Sequence, residues 1–153
     1  MFYIHGLFNS VYMKYFVTII LVVIAFAKAS SQDITGTWKT IDDDTGEVMS
    51  HVEIYKRDGK VYGKVIKVLD KSAPEVPLCV ECDGSLKNAP IIGLEIIQGL
   101  EKKGTEYKNG TILDPENGKS YTCKLWLAAD NKDVLMVRGY VAFFYRTQSW
   151  KRL

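Results

Sequence analysis

The sequence has little of what a catalytic site is commonly built from. It contains two histidines, and of these only His51 lies after the N-terminal apolar segment. It also lacks the Gly-x-Ser-x-Gly element that presents a nucleophilic serine in many hydrolases. A Ser-His-Asp triad therefore has little to build on, and we predict no catalytic residues and no bound cofactor. Paired carboxylates stay open as an alternative, because the sequence does not show which of its 18 acidic residues meet in space.

No apolar run is long enough to span a membrane, which takes about 20 residues in a helix. Instead, Met13-Lys14 precedes a short apolar segment, 16–27, and small residues flank Lys28 at its end. A basic start, a short apolar segment and small residues at the exit are typical of a secretory signal peptide. We therefore expect residues 1–29 to be cleaved, with Met13 as the true start, leaving a secreted or periplasmic chain without a stable membrane anchor. A retained N-terminal anchor is the alternative.

An excess of basic residues is also missing once the signal is removed. Lys14 and Lys28 leave with it, so the 20 basic residues of the full sequence fall to 18 and balance the 18 acidic ones. Nucleic-acid-binding proteins usually carry a clustered basic patch, so we expect no nucleic-acid partner. Residues 30–153 contain no repeat and no linker, and they fit a single domain.

What the remaining chain does contain is apolar residues at every second position. Tyr121, Cys123 and Leu125, for example, alternate with residues suited to water, which places one set inside and the other outside a sheet. Asp58-Gly59 is typical of a tight hairpin turn. The alternation predicts eight strands, at about 35–41, 48–55, 61–69, 91–100, 105–113, 121–127, 135–141 and 144–152.

Two adjacent segments are less regular. Segment 70–90 holds three of the four prolines, which predicts a long ordered loop. Segment 91–100 also fits one face of a helix through Ile92, Ile96 and Leu100. Its glycines and its four isoleucines favour a strand, because β-branched residues suit a pleated sheet. We therefore predict a strand here and keep the helix as the alternative.

Eight strands joined mostly by short turns predict an all-β fold, a single small antiparallel up-and-down β-barrel. Closure into a barrel removes the exposed edge strands that an open meander would have. Eight strands enclose an interior wide enough for packed side chains or for one small ligand. An open two-sheet sandwich is the alternative.

The start of this domain, Gly36-Thr37-Trp38, resembles the Gly-x-Trp signature of the lipocalin and fatty-acid-binding (calycin) barrels. The resemblance implies that Trp38 closes one end of the barrel under a cation from the last strand. Arg146 and Arg152 share a face with Trp150 on that strand, and either could be this cation. We predict Trp38 and Arg152 as the closing pair.

Further elements extend over nearly the whole of residues 30–153. They are the Gly36-x-Trp38 start, Cys79-x-x-Cys82, Gly93-Leu94 with Gly99-Leu100, Gly110-x-Ile112-Leu113-Asp114-Pro115-x-Asn117-Gly118-Lys119-x-Tyr121, Val137-Arg138-Gly139-Tyr140 and Arg146-Thr147-Gln148-x-Trp150-x-Arg152. With these elements the chain resembles the exported bacterial proteins called domain of unknown function 2147. That family is similar to the calycin barrels in fold, and it implies no established activity, ligand or catalytic residue.

The three cysteines predict one disulfide and one free thiol. Cys79 and Cys82 are close in an irregular loop of a chain expected in an oxidising compartment, where such a pair forms a disulfide. A redox role is the weaker alternative, because no βαβ unit surrounds the pair. Cys123 alternates with core-facing residues and is predicted to be an inert buried thiol. A Cys₃His zinc site with His51 lacks the usual ligand spacing, so we predict no metal.

A ligand site is the remaining functional hypothesis. Arg138, Tyr140, Arg146 and Trp150 near the C-terminus could hold a small hydrophobic or amphipathic ligand. A buried arginine without a partner is costly, so an arginine here pairs, caps an end or meets an anion. The alternative is that these residues cap a filled barrel or face solvent, in a structural or interaction protein of the cell envelope. The sequence does not determine the oligomeric state.

Overall fold

Eight antiparallel strands close into a barrel in which each strand pairs with its neighbours in the sequence and β1 pairs with β8. The computed structural model describes residues 33–153, and the predicted signal peptide lies outside the described residues. The strands are β1 (Gly36–Ile41), β2 (Val48–Arg57), β3 (Lys60–Val68), β4 (Glu95–Lys103), β5 (Glu106–Asp114), β6 (Lys119–Leu127), β7 (Val134–Val141) and β8 (Phe144–Arg152). A single 3₁₀ turn, Gly84–Leu86, lies in the β3–β4 connection of this part of the chain. The predicted all-β barrel is confirmed.

The segment with two alternatives forms a strand, but this strand begins later than predicted. Residues 91–94 belong to the preceding connection, and β4 starts at Glu95. The backbone N–H of Gly93 donates to Val65 O, and Val65 N–H donates to Leu94 O. Leu94 N–H also donates to Ile91 O, so residues 91–94 form a turn beside β3, and Gly93 lies in it at a positive φ of 93°. The helix alternative is wrong.

Apolar side chains from alternate positions of all eight strands fill most of the barrel interior. Trp38 and Trp150 are the largest of the fully buried side chains. Burial of an aliphatic side chain stabilises a fold by about 1.5–3 kcal/mol, so this interior supplies much of the stability. The buried set includes Trp38, Val52, Ile54, Val61, Val65, Ile97, Leu100, Tyr107, Cys123, Leu125, Leu135, Val137 and Trp150.

The two ends of the barrel differ in their connections. The β2–β3, β4–β5 and β6–β7 turns lie at one end together with residues 33–35 and Leu153. We call this the closed end. The β1–β2, β5–β6 and β7–β8 turns and the long β3–β4 connection lie at the other, which we call the loop end.

Trp38 and Arg152 seal the closed end. Trp38 is 0% exposed, and its indole N–H donates to Ile34 O at 2.8 Å. The Arg152 guanidinium carbon lies 4.1 Å from the centre of the indole ring. The same guanidinium donates to Thr35 O at 3.1 Å and to Asp133 Oδ1 at 3.2 Å. The last strand thus places a cation over Trp38, and this cation is held by hydrogen bonds to the segment before β1 and to the β6–β7 turn.

The seam between the first and last strands is short. β1 and β8 pair only at Trp38–Arg152 and Lys39–Lys151, whereas β8 pairs with β7 along eight positions. Toward the loop end, an ion pair between Arg146 and Asp43 in the β1–β2 turn links β8 to the β1 side. Backbone pairing between β1 and β8 is therefore confined to the closed end, and the Arg146–Asp43 ion pair is the link toward the loop end.

The long β3–β4 connection contains the disulfide. Cys79 and Cys82 are bonded, with their Cα atoms 5.3 Å apart, and both are buried. The connection packs against the β5–β6 turn, where Gly118 has a φ of +69°. A Cβ atom placed on Gly118 would lie 1.9 Å from Glu81 O. Only a glycine permits this approach of the two backbones.

The buried position of Cys123 makes its reactivity testable. Burial raises the pKa of the Cys123 thiol to about 12, and the thiolate is the species that reacts with alkylating agents. We expect no iodoacetamide labelling of the folded chain at pH 8, one label after unfolding without reduction, and three after reduction. Mass spectrometry checks this. Three labels without reduction would contradict the disulfide, and one label on the folded chain would contradict the burial.

Candidate functional site

Several inward positions at the loop end are polar and only half-buried, unlike the apolar positions beneath them. Thr40 and Ser50 share the inward side of Trp38 and Val52, and their hydroxyl oxygens lie 2.8 Å apart. On β8, the strand that pairs with β1, Gln148 shares the side of Trp150, whose indole N–H lies 3.5 Å from the Gln148 amide oxygen. The interior is thus apolar and buried below, and partly polar and half-buried at the loop end. We call these half-buried inward positions the loop-end cup: Thr40, Ser50, Ile112, Tyr121, Gly139 and Gln148.

Gly139 leaves space in the wall of the cup. It pairs with Cys123 and Arg146 on the neighbouring strands, so it occupies an inward position. A Cβ atom there would meet Ile112 Cγ2 and Tyr121 Cβ at 3.8 Å, an ordinary contact distance. A larger side chain would therefore extend into the cup itself.

Arg146 lies at the rim of the cup. Its guanidinium donates to Asp43 Oδ2 at 2.7 and 3.1 Å, and this bond raises the pKa of Arg146. Asp42 is occupied by its own turn, because it accepts from Thr45 N–H at 2.7 Å, which lowers its pKa. The Arg146–Asp43 pair is solvent-exposed, and such pairs stabilise a fold by no more than about 1 kcal/mol. An anionic group could therefore replace Asp43 at little cost.

The four predicted ligand-binding residues do not line one pocket. Arg146 and Trp150 occupy inward positions of β8, although Arg146 is exposed and pairs with Asp43 at the rim. Arg138 and Tyr140 alternate with the inward Val137 and Gly139, so they lie on the outer face of β7. The structure therefore divides the predicted set between the cup and the outside of the barrel.

Arg138 is held within an aromatic cluster on that outer face. Its guanidinium carbon lies 4.1 Å from the centre of the Tyr145 ring and 5.1 Å from that of Trp126. Its Nε–H donates to Thr147 Oγ1 at 2.7 Å. Tyr140 lies beside Tyr145, with ring centres 6.2 Å apart. This cluster fixes the orientation of a cation at the surface.

A family model described as "uncharacterized protein conserved in bacteria (DUF2147)" matches residues 36–152, which is the whole barrel. The chain belongs to this family. No curated protein matches it. Among solved structures, it is similar to protein HP1028 from the human pathogen Helicobacter pylori, described as belonging to the lipocalin family. The TM-score is 0.66 at 22% identity, with 79% of this chain and 83% of that chain covered, so the likeness establishes a lipocalin-like barrel.

Within this DUF2147 barrel, sequence reasoning missed the polar residues of the cup on β1 and β2. Thr40 and Ser50 stand two positions from Trp38 and Val52, so the alternation already placed them inward. A polar residue at an inward position indicates either a solvent-filled end or a partner across the barrel. The strand register shows that each of these two residues has a partner, because Thr40 pairs with Ser50 and their hydroxyl groups meet.

Other features of the described domain offer weaker sites. An open groove of about 310 Å³ lies beside the β1–β2 turn, lined by Glu47, Val48, Leu69 and Lys71. Its two charged residues pair with each other at 3.3 Å. Within residues 33–153, no three histidine, cysteine or acidic side chains are grouped so that they could hold a metal ion. The same residues include no helix of the length and hydropathy needed to cross a membrane.

Proposed function

We propose that this DUF2147 protein is an exported binding protein that takes a small amphipathic molecule into the loop-end cup. The observation that carries the proposal is the division of the interior, apolar and fully buried below but partly polar and half-buried in the cup. A concave apolar surface with a few convergent polar groups is the usual form of a small-molecule site. The lipocalin-like fold is compatible with such a role.

The filled interior limits the ligand to a shallow position. Ile112, which is half-buried, offers apolar contact in the cup. Ser50 and Gln148 offer hydrogen bonds at its wall, and Arg146 at the rim is suited to an anionic group. We therefore propose a ligand with a small apolar body and a polar or anionic head.

We place this binding in the cell envelope. The support comes from segment 16–27 with small residues at its end, and from the Cys79–Cys82 disulfide, a bond rare in reducing compartments. N-terminal sequencing of the protein from its native cells should give a start near Ser30. A product that retains segment 16–27 would contradict export by a cleaved signal.

Titration with 1-anilinonaphthalene-8-sulfonate, an amphipathic anion with environment-sensitive fluorescence, tests the cup. We expect saturable binding to the chain from residue 30, and at least about tenfold weaker binding to Gly139→Leu, because the new side chain fills the cup. Thr122→Leu adds the same side chain to the outer face and should bind as the wild type does. Circular dichroism confirms that both variants fold. Unchanged binding to a folded Gly139→Leu would overturn the proposal.

One observation favours a second candidate, an interaction protein. The β7–β8 hairpin exposes Phe143 at 98% and Phe144 at 78%. Exposed apolar groups of this size are typical of contact surfaces. If the double variant Phe143→Ser/Phe144→Ser loses the fluorescent probe while Gly139→Leu keeps it, the hairpin is the binding surface and the interaction candidate replaces the cup.

A further inference from the structure

The arginines of the described domain differ in whether they form an ion pair. There are four, and three of them form an ion pair with a carboxylate of the chain. Arg57 pairs with Glu95, Arg146 with Asp43, and Arg152 with Asp133. For Arg138, the described residues provide no carboxylate within ion-pair distance, although two aromatic rings and a hydroxyl group contact its guanidinium.

Arg57 shows the complete form of the arrangement that surrounds Arg138. Its guanidinium carbon lies 3.9 Å from the centre of the Tyr62 ring and 5.9 Å from that of Tyr55. Both of its terminal nitrogens reach Glu95, at 3.0 and 3.3 Å. A guanidinium stacked on aromatic rings thus binds a carboxylate through two parallel hydrogen bonds, the geometry that arginine favours.

Arg138 has the aromatic half of this arrangement without the carboxylate. Tyr145 and Trp126 lie near its guanidinium at 4.1 and 5.1 Å, close to the two distances at Arg57. The bond from Nε to Thr147 holds the group in place and leaves the terminal nitrogens for another partner. Because its rotamer is already fixed by these contacts, little side-chain entropy is lost on binding an anion.

The neighbouring side chains on this face also fit a ligand with a carboxylate on an apolar body. Lys124 lies on the same face, across the ladder from Arg138, with its ammonium 4.8 Å from the centre of the Trp126 ring. It pairs with Glu106 at 2.8 Å, so its charge is balanced and Arg138 is the cation that an incoming anion would meet here. Trp126, Tyr140 and Tyr145 offer apolar surface around the cation for the body of the ligand.

We propose that the outer face of β6–β8 binds a carboxylate on an apolar or aromatic body, with Arg138 taking the carboxylate and Trp126 and Tyr145 contacting the body. The ligand supplies what Glu95 supplies to Arg57. This site is separate from the loop-end cup, because Arg138 and the cup residues lie on opposite sides of the sheet.

Benzoate is the probe, and NMR the measurement. We expect saturable shifts of the Arg138 Nε–H and Trp126 indole N–H resonances, with a dissociation constant of the order of millimolar. Benzamide has the same shape without the charge, and should produce no saturable shift. Arg138→Gln should weaken benzoate binding by about tenfold or more, whereas Arg57→Gln should leave it unchanged. A benzoate response that survives Arg138→Gln overturns the proposal, as does an equal response to benzamide or to inorganic phosphate.

Removing Glu95 provides a gain-of-binding test. Glu95→Ala leaves the Arg57 guanidinium beside its aromatic rings without a carboxylate. Benzoate should then also shift the Arg57 Nε–H resonance, which we expect it to leave unchanged in the wild type. The Arg138 response should persist in this variant and serves as its internal control. If neither arginine responds in Glu95→Ala, a stacked and unpaired arginine on this barrel does not bind carboxylates and the proposal fails.

Discussion

Replacing Trp38 with alanine should lower the free energy of unfolding by about 3–5 kcal/mol, the usual cost of truncating a buried large aromatic residue. Trp38 is fully buried, and its indole N–H bonds to Ile34 O. Alanine removes the buried ring and its hydrogen bond and leaves a cavity at the closed end. Small domains are stable by only about 5–15 kcal/mol, so the loss is a large share of the total. Urea unfolding of the purified chain measures it.

Two variants provide the controls for Trp38. Arg152→Ala removes the cation above the ring, a contact of about 0.5–2 kcal/mol, and should cost less than Trp38→Ala. Trp126→Ala truncates the same side chain on the outer face, where it is only half-buried, and should cost less still. If Trp38→Ala and Trp126→Ala cost the same, Trp38 does not seal the barrel end.

Replacing Gly118 with alanine should produce the second largest loss, about 2–4 kcal/mol, because two costs combine there. Gly118 has a φ of +69°, which disfavours any side chain. The new Cβ would also lie 1.9 Å from Glu81 O, so the disulfide-containing connection or the β5–β6 turn must move. Urea unfolding gives the energy, and NMR shifts of residues 79–82 show which of the two moves.

Gly46→Ala is the matched control for Gly118. Gly46 has nearly the same φ, +72°, but no atom within 4 Å of the position of a Cβ. It should therefore carry only the backbone cost, about 1–2 kcal/mol. The difference between the two variants measures the contact between the connection and the turn. Equal losses of stability in the two variants would mean that the β3–β4 connection moves away from the new Cβ atom at no cost.

The strands were predictable because their signals are local. Alternation and an Asp58-Gly59 turn need only a few neighbouring residues, and they located all eight strands. The late start of β4 was not predictable in this way. It depends on hydrogen bonds between Gly93, Leu94 and Val65, which are almost thirty residues apart in the chain and meet only through the fold.

The candidate sites were only partly predictable. The alternation around Val137 already separated Arg138 from the inward positions. The predicted site nevertheless grouped it with Trp150, because both are polar or amphipathic residues near the C-terminus of a chain that resembles the calycin barrels. The unpaired state of Arg138 could not be predicted at all. It becomes visible only beside Arg57, whose partner Glu95 is brought to it from another strand by the register of β2, β3 and β4.

The contacts of Arg152 and Leu153 with residues 33–37 bring the two termini of the barrel close together. Arg152 bonds to Asp33 O and Thr35 O, and Leu153 N–H donates to Thr37 O at 3.0 Å. Barrel termini this close are suited to circular permutation. A short linker between residue 33 and Leu153, combined with a new break in another turn, would keep all eight strands. The interruption of the backbone would then no longer coincide with the two-pair ladder between β1 and β8.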